Sequence, residues 1–150
     1  MRLLDARMSC DWFFDRDRVI SRISVGKRKA MNRTGQVLRQ RARDKIRRRR
    51  GRSKPGEPPN SHAKGFASLR RIFYQWEPDA EALVVGPVKL TSRLPPPDGF
   101  TVPEVLEFGG PAKVTRDKVV AVEPRPFMGP TLDESADVLI DFWGGAVTDG

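Results

Sequence analysis

Residues 16–50 have the sequence RDRVISRISVGKRKAMNRTGQVLRQRARDKIRRRR, and they decide the fold. Apolar side chains, with one threonine, recur there at helical spacing and form one stripe: Ile20, Ile23, Ala30, Met31, Thr34, Val37, Leu38, Ala42 and Ile46. Asp15 is a suitable N-cap and Gly51 a natural stop, so the pattern predicts a single helix over the whole stretch. At about 1.5 Å per residue this helix would be about 50 Å long. Since that length exceeds a small domain, we expect the helix to pack against something besides its own core.

Positive charge is concentrated in the same part of the chain. Residues 1–56 hold nineteen Lys or Arg against five Asp or Glu, a net charge of +14. Residues 57–150 hold nine against fourteen, a net charge of −5. A basic arm of this kind is typical of chains that bind nucleic acid, a membrane surface or an acidic partner. Two halves of opposite charge also attract each other, either within one chain or between neighbouring copies.

The densest basic run begins at the end of the predicted helix. Its members are Arg47, Arg48, Arg49, Arg50, Arg52 and Lys54. Cations suit the C-terminal end of a helix dipole, but four consecutive arginines exceed what that interaction needs. We therefore expect them to contact either the phosphates of DNA or the acidic surface of a partner protein. No aromatic side chains are interleaved with the run, which argues against sequence-specific RNA recognition.

The next segment, 51–65, has the sequence GRSKPGEPPNSHAKG and offers almost nothing to bury. It predicts a flexible arm, mobile in the free protein and ordered on assembly, because such a composition cannot offset its ordering entropy. Residues 71–76 alternate in polarity and residues 82–89 are rich in Leu and Val, with the turn-forming pair Pro78-Asp79 between them. This pattern predicts a β-hairpin.

Beyond a Pro-rich loop at 94–99, two capping boxes predict helices that begin at Thr101 and Thr131 and end at the glycine pair after each. Between them, residues 119–122 predict a third strand. The last helix has one apolar face, formed by Leu132, Ala136, Leu139, Ile140 and Trp143.

Catalytic chemistry has little support. One cysteine, Cys10, and one histidine, His62, cannot supply the four ligands of a structural zinc site. Aspartates near Cys10 disfavour the thiolate, and His62 is expected to be a solvated loop residue. Acidic clusters at Glu104 and Glu107 and at residues 133–137 raise the alternative of a metal-dependent nuclease, but acids in a first helical turn also complement the helix dipole. We therefore expect no enzyme activity, no cofactor and no metal.

Length and composition set the broad class. A chain of 150 residues favours one domain, and a single cysteine suits synthesis in a reducing compartment. No apolar run approaches the roughly 18 residues that span a bilayer. We expect a soluble protein made in the cytoplasm.

The order of five short strings gives a more specific signal: SKPGEPPNSH, GFASLRRIFY, LVVGPVKL, TVPEVLEFGG and VEPRPFMGPTLDE. In this order and spacing they resemble the neck and tail-completion (head–tail joining) proteins of long-tailed double-stranded DNA bacteriophages. The positions that carry the resemblance are Gly65, Leu69, Arg70, Gly86, Glu107, Phe108, Gly109, Arg125, Pro126 and Phe127. The resemblance extends over residues 16–143.

The resemblance implies an α+β fold, in which a long N-terminal helix packs on a small antiparallel β-sheet beside a short helix and a C-terminal amphipathic helix. It divides the chain into an N-terminal segment (1–15), a single neck/tail-completion domain (16–143) and a tail (144–150). Within the domain the parts are the long basic helix (16–50), the flexible arm (51–65) and the sheet with the C-terminal helices (66–143). We assign Leu106, Phe108, Phe127 and Trp143 to the core.

The resemblance also implies a structural virion protein without catalysis. Such a protein forms a homo-oligomeric ring, most often a hexamer, that joins the head connector to the tail and surrounds the DNA channel. Its partners would be other copies of itself, the connector, adaptor or head-closure protein, and the tail tube or tail terminator protein, with transient contact to genomic DNA. It would be synthesised in the bacterial cytoplasm and reside in the neck of the virion. The alternative is a basic nucleic-acid-binding protein that acts through its Arg-rich helix.

Overall fold

The structure of the protein is a computed structural model, which describes residues 15–62, 65, 68–90, 99–113 and 115–146. Several predictions fall outside these residues: those for Cys10, for segment 1–14, for 63–64 of the arm, for 94–98 of the Pro-rich loop and for 147–150 of the tail. The α+β class is confirmed, since the described chain combines one long helix, two small antiparallel sheets and three short helices. Among the described residues no helix is both long and apolar enough to cross a membrane.

Helix α1 (Arg16–Lys45) begins where the sequence predicts. The Asp15 carboxylate accepts a hydrogen bond of 3.0 Å from the Arg18 backbone N–H, which confirms the predicted N-cap. The buried face follows the predicted stripe from its middle onwards, through Ala30, Thr34, Leu38 and Ala42. From Arg16 to Val25 every side chain is exposed.

The predicted extension of the helix to residue 50 is wrong, and the reason lies in tertiary packing. Ile46 has an extended backbone (φ −78°, ψ 104°), and its side chain is fully buried in the core. Its carbonyl accepts a hydrogen bond from the Arg70 guanidinium, which supplies a partner that the helix end leaves missing. Arg47 then forms an isolated parallel bridge with Asn60. Residues 47–50 are therefore exposed loop residues rather than a last helical turn.

Strands β1 (Ile72–Glu77) and β2 (Ala82–Pro87) form the predicted antiparallel hairpin, in the register that pairs Ile72 with Pro87. The hairpin packs on α1, and the approach is closest at Gly35: a Cβ there would lie 2.4 Å from Cδ2 of Tyr74. Glycine is needed at this point because any side chain would overlap the ring.

Helix α2 (Val102–Phe108) begins at the predicted capping box. The Glu104 carboxylate accepts hydrogen bonds from the backbone N–H (2.5 Å) and the hydroxyl (2.8 Å) of Thr101. The backbone hydrogen bond from Thr101 is the main cause that lowers the pKa of Glu104, with its hydroxyl second.

The predicted third strand is present as β4 (Val119–Val122), but its partner is a strand that the sequence did not suggest, β3 (Gly110–Lys113). The two form a second antiparallel ribbon, separate from the first, so the expected single sheet is two sheets of two strands. Gly110 and Pro111 within β3 are residues that strands disfavour, which explains why the pattern was missed.

The C-terminal region forms two helices, α3 (Met128–Asp133) and α4 (Ala136–Ala146), where the sequence predicted one. The predicted capping box at Thr131 is wrong. Thr131 is buried inside α3, and its hydroxyl donates to the Phe127 carbonyl at 2.6 Å. The predicted stop at residues 144–145 is also wrong, because α4 continues through both glycines.

The core lies where α1 ends and meets the start of β1. It consists of Ala42, Ile46, Leu69, Ile72 and Phe127, with Val85, Leu90, Leu106 and Met128 packed at its edge. Phe127 is fully buried, which confirms its assignment to the core. This core is small for the length of the chain, and much of α1 extends beyond it.

Residues 51–62 contain no helix or extended strand, yet the loop contacts the domain at several points. The Gly56 N–H donates to the Pro124 carbonyl at 3.0 Å, and the Ser61 N–H donates to the Arg47 carbonyl at 2.9 Å. Pro59 and Ser61 are buried. A cavity of about 680 Å³ separates the loop from β4.

Candidate functional site

The Glu107 carboxylate joins α2 to the start of α3. It accepts hydrogen bonds from three consecutive backbone N–H groups, those of Phe127 (2.8 Å), Met128 (3.0 Å) and Gly129 (2.7 Å). These are donors that a helix N-terminus leaves without intrahelical partners, so Glu107 acts as a cap supplied from another helix. The dipole argument made from sequence assigned Glu107 to its own helix, whereas it serves the next one.

Gly109 and Arg125 hold the same junction from the other side. Gly109 has φ +76°, and a Cβ there would lie 3.0 Å from the Val122 carbonyl oxygen. The Arg125 N–H donates to the Leu106 carbonyl at 2.6 Å, and its guanidinium Nε donates to the Ser53 carbonyl at 3.2 Å. Arg125 thereby attaches the loop 51–62 to the domain.

Leu69 and Arg70 complete the core on the side of α1. Leu69 is buried, and Arg70 holds the carbonyl of Ile46 at the point where α1 ends. Gly65 and Gly86, two of the ten positions that carry the phage resemblance, are in open surroundings, since no atom lies within 4 Å of an added Cβ. Gly65 nevertheless has φ +68°, a backbone angle that favours glycine. Most of the ten positions therefore maintain the domain rather than form a reactive site.

Phe108 departs from this pattern. The prediction that Phe108 and Trp143 belong to the core is wrong, since they are 79% and 39% exposed. Phe108 is the last residue of α2, and the tight turn at Gly109 directs the chain into β3 rather than over the ring. Trp143 and Ile140, three residues apart on α4, are both exposed.

One exposed surface, the α1 overhang (residues 16–25), combines apolar and basic side chains. The hairpin reaches along α1 as far as Lys27, whose Nζ lies 2.6 Å from Glu81 Oε1. The ten residues before Gly26 extend about 15 Å further. Their apolar members are all exposed, namely Val19, Ile20, Ile23 and Val25. Their charged members are Arg16, Asp17, Arg18 and Arg22.

A second exposed surface, the acidic face of α3 and α4, has the opposite charge. Residues 128–146 contain four acids and no Lys or Arg. Glu134 is paired with Lys45 at 2.6 Å, while Asp133, Asp137 and Asp141 are exposed. The apolar side chains on this face are Leu132, Ile140 and Trp143, all exposed.

The arginine run borders a cleft of about 430 Å³, here called the arginine cleft. Its lining residues are Arg43, Arg48, Arg49, Arg50, Ser61, His62, Gly65, Ser68, Arg70 and Arg71. The predicted contact residues Arg48 to Arg50 lie in it, whereas Arg47, Arg52 and Lys54 do not line it. Arg43, Arg70 and Arg71 come from other parts of the chain, and sequence reasoning missed their convergence with the run because α1 ends earlier than predicted.

Comparisons with known proteins give no similarity to report: no family model, no curated protein and no solved structure matches the chain. Within the described residues, no group of three or more His, Cys, Asp or Glu side chains is placed to hold a metal ion. The features of the chain that bear on its function are the two exposed surfaces, the arginine cleft and the order of the sequence strings.

Proposed function

We propose that the protein is a structural component of a phage virion, which assembles into a homo-oligomeric ring at the head–tail junction and surrounds the DNA channel. The ring joins the head connector to the tail and does no catalysis. Its family is proposed from the ordered strings that end in Glu107-Phe108-Gly109 and Arg125-Pro126-Phe127. Its mode of assembly is proposed from the surfaces of one chain.

The main support for the proposed assembly is a pair of surfaces that are complementary in charge. The α1 overhang is apolar and basic, and the acidic face of α3 and α4 is apolar and acidic. Two different surfaces that bind each other between copies make a head-to-tail contact, which closes into a ring when the rotation per copy permits it. Burial of the exposed isoleucines and Trp143 would supply the stabilising free energy, and the charges would select the partner surface.

The solution mass of the purified protein tests this proposal. We expect one closed oligomer, of about six copies by the resemblance, at low salt, and partial dissociation at high salt because salt screens the charges. The variant Ile20→Ser/Ile23→Ser should be monomeric and keep the circular dichroism spectrum of the wild type, since both side chains are about half exposed in one chain (49% and 51%). A wild-type protein that is monomeric at every concentration and salt would contradict the proposal.

The alternative is a nucleic-acid-binding protein whose basic segment is its whole function. The exposure of residues 47–50 outside any helix favours it. The same mass measurement separates the two, because a monomer or dimer that binds DNA would not form a ring.

A further inference from the structure

We propose that the arginine cleft is a binding site for the backbone phosphates of nucleic acid, and that it includes Arg43 and Arg70 as well as the run Arg48 to Arg50. The inference goes beyond the proposed ring and does not depend on it. It rests on the lining of the cleft and on two buried donors.

The composition of the cleft fits an oxyanion. Five arginines other than Arg71 line it together with His62, and no Asp or Glu is found among its described lining residues. Arginine presents planar, forked donors that match phosphate oxygens, so several arginines around one cleft suit a chain of phosphates. The described lining residues therefore include no carboxylate that could neutralise the arginines.

Two of the lining arginines have donors that lack acceptors. The Nε atoms of Arg43 and Arg70 are buried, and neither has a hydrogen-bond partner among the described residues. A buried donor without a partner costs about 1–3 kcal/mol, more when the group is charged. Since these Nε atoms are themselves inaccessible, an anion bound in the cleft would act on the two guanidinium groups through their charge, and it would neutralise the cleft.

Sequence-independent contact with phosphates suits this site better than base recognition. None of the lining residues of the cleft is aromatic, so it offers no surface on which bases stack. Contacts to phosphates exchange with counterions, which permits sliding along DNA. A site of this kind is therefore compatible with DNA that moves past the protein.

The test is the salt dependence of binding of the full chain to a short mixed-sequence duplex, measured by fluorescence anisotropy. The wild type should lose affinity linearly on a log–log plot, with a slope of about −0.9 per phosphate contacted. The variant Arg48→Gln/Arg49→Gln/Arg50→Gln should flatten that slope by about 2–3, since it removes up to three phosphate contacts. Its thermal unfolding should match the wild type, because the three side chains are exposed.

A matched control removes the same charge elsewhere. Arg28, Arg33 and Arg116 are exposed and do not line the cleft. The variant Arg28→Gln/Arg33→Gln/Arg116→Gln should keep the wild-type slope to within about one unit. If the two triple variants change the slope equally, the cleft is not the site and the proposal is wrong.

Two further probes decide between ligand classes. Polyglutamate of matched charge and inorganic phosphate replace the duplex in separate titrations at constant ionic strength. The proposal expects the duplex to bind more tightly than either, with only the duplex sensitive to the variant at residues 48–50. If polyglutamate binds and the duplex does not, the cleft recognises an acidic protein, and if only inorganic phosphate binds, it is a site for the free ion. Either result overturns the proposal.

Discussion

At the scale of single residues, Glu107 shows how one side chain can fix the path of the chain. It lies in α2, but its oxygens bind the first N–H groups of α3, twenty or more residues away. The start of α3 is thereby set at Met128 rather than at the capping box that the sequence predicts at Thr131. A strong acceptor from outside replaces the local cap.

We expect Glu107→Ala to lower the free energy of unfolding by about 1.5–3 kcal/mol, because it removes a charged acceptor shared by three backbone donors. Glu107→Gln keeps an acceptor oxygen and should lose less. Chemical denaturation of both variants gives the measurement, with Glu123→Ala, at an exposed position, as the control. Equal stabilities for all three variants would contradict the role of Glu107 as a cap.

Phe127 and Phe108 differ sharply in burial: Phe127 is fully buried, and Phe108 is 79% exposed. Phe127→Ala should cost about 3–5 kcal/mol, the usual range for a buried aromatic side chain. Phe108→Ala should change stability by less than about 0.5 kcal/mol, as exposed positions do. Thermal unfolding of the two variants checks both values. A Phe127→Ala variant as stable as the wild type would assign that residue to a contact surface instead.

At the scale of elements, the packing of α1 on the hairpin depends on the absence of a side chain at Gly35. A helix interior normally favours Ala over Gly by about 1 kcal/mol. Here the Tyr74 ring occupies the space, with a distance of 2.4 Å to the place of a Cβ. The packing of β1 therefore outweighs the propensity of α1.

We expect Gly35→Ala to destabilise the protein by about 1–3 kcal/mol, the typical cost of overpacking, despite its gain in helix propensity. The double variant Gly35→Ala/Tyr74→Ala should be more stable than the sum of the single changes predicts, because the overlap is gone. Gly86→Ala serves as the control, since nothing lies within 4 Å of its added Cβ. Additive effects in the double-mutant cycle would show that the ring moves aside without cost.

The loop at 51–62 is an element without regular structure, and its predicted mobility stays a prediction. Only a few of its amides have backbone partners, among them Gly56 and Ser61. We expect these two amides to exchange more slowly with solvent than the amides of the exposed residues Arg52 and Lys54, because a hydrogen-bonded N–H must open before it exchanges. Hydrogen exchange followed by NMR measures this, and uniform fast exchange across the loop would favour an arm that is released from the domain.

At the scale of the whole molecule, the charge asymmetry of the sequence has a definite location. The basic half supplies the α1 overhang and four of the six arginines that line the arginine cleft, and the acidic half supplies the exposed face of α3 and α4. Within one chain the two halves form ion pairs between Lys45 and Glu134 and between Lys27 and Glu81, each of 2.6 Å. The remaining acids on that face, Asp133, Asp137 and Asp141, are exposed and open to contact with another copy.

Charge reversal tests the head-to-tail contact between copies. Arg18→Glu/Arg22→Glu should prevent assembly by itself, and so should Asp137→Arg/Asp141→Arg, since like charges then meet at every contact. An equimolar mixture of the two variants should assemble again, because every contact between unlike copies then joins opposite charges. Light scattering gives the masses. The control Arg33→Glu/Arg116→Glu should assemble as the wild type does.

Assembly by either double variant alone, or failure of the mixture together with normal wild-type assembly, would show that the ring uses other surfaces. This outcome would leave the mass of the wild type, and with it the proposed ring, unaffected.

Elements whose signals are local could be located from the amino-acid sequence. The Asp15 cap and the apolar stripe located α1, the Pro78 turn located the hairpin, and the box at Thr101 located α2, because hydrogen bonds and spacing within a few residues govern each. The burial of Phe127 also followed from its position before an amphipathic stretch.

Features that depend on partners distant in the chain could not be located in this way. The end of α1 is set by the burial of Ile46 and the donor from Arg70, and the start of α3 is set by Glu107. The end of α2 at Gly109 was predicted, but the exposure of Phe108 was not, because it depends on what packs against that end of the helix. The arginine cleft has the same origin: its residues come from separate segments, and burial of a few apolar side chains between those segments brings the charges together.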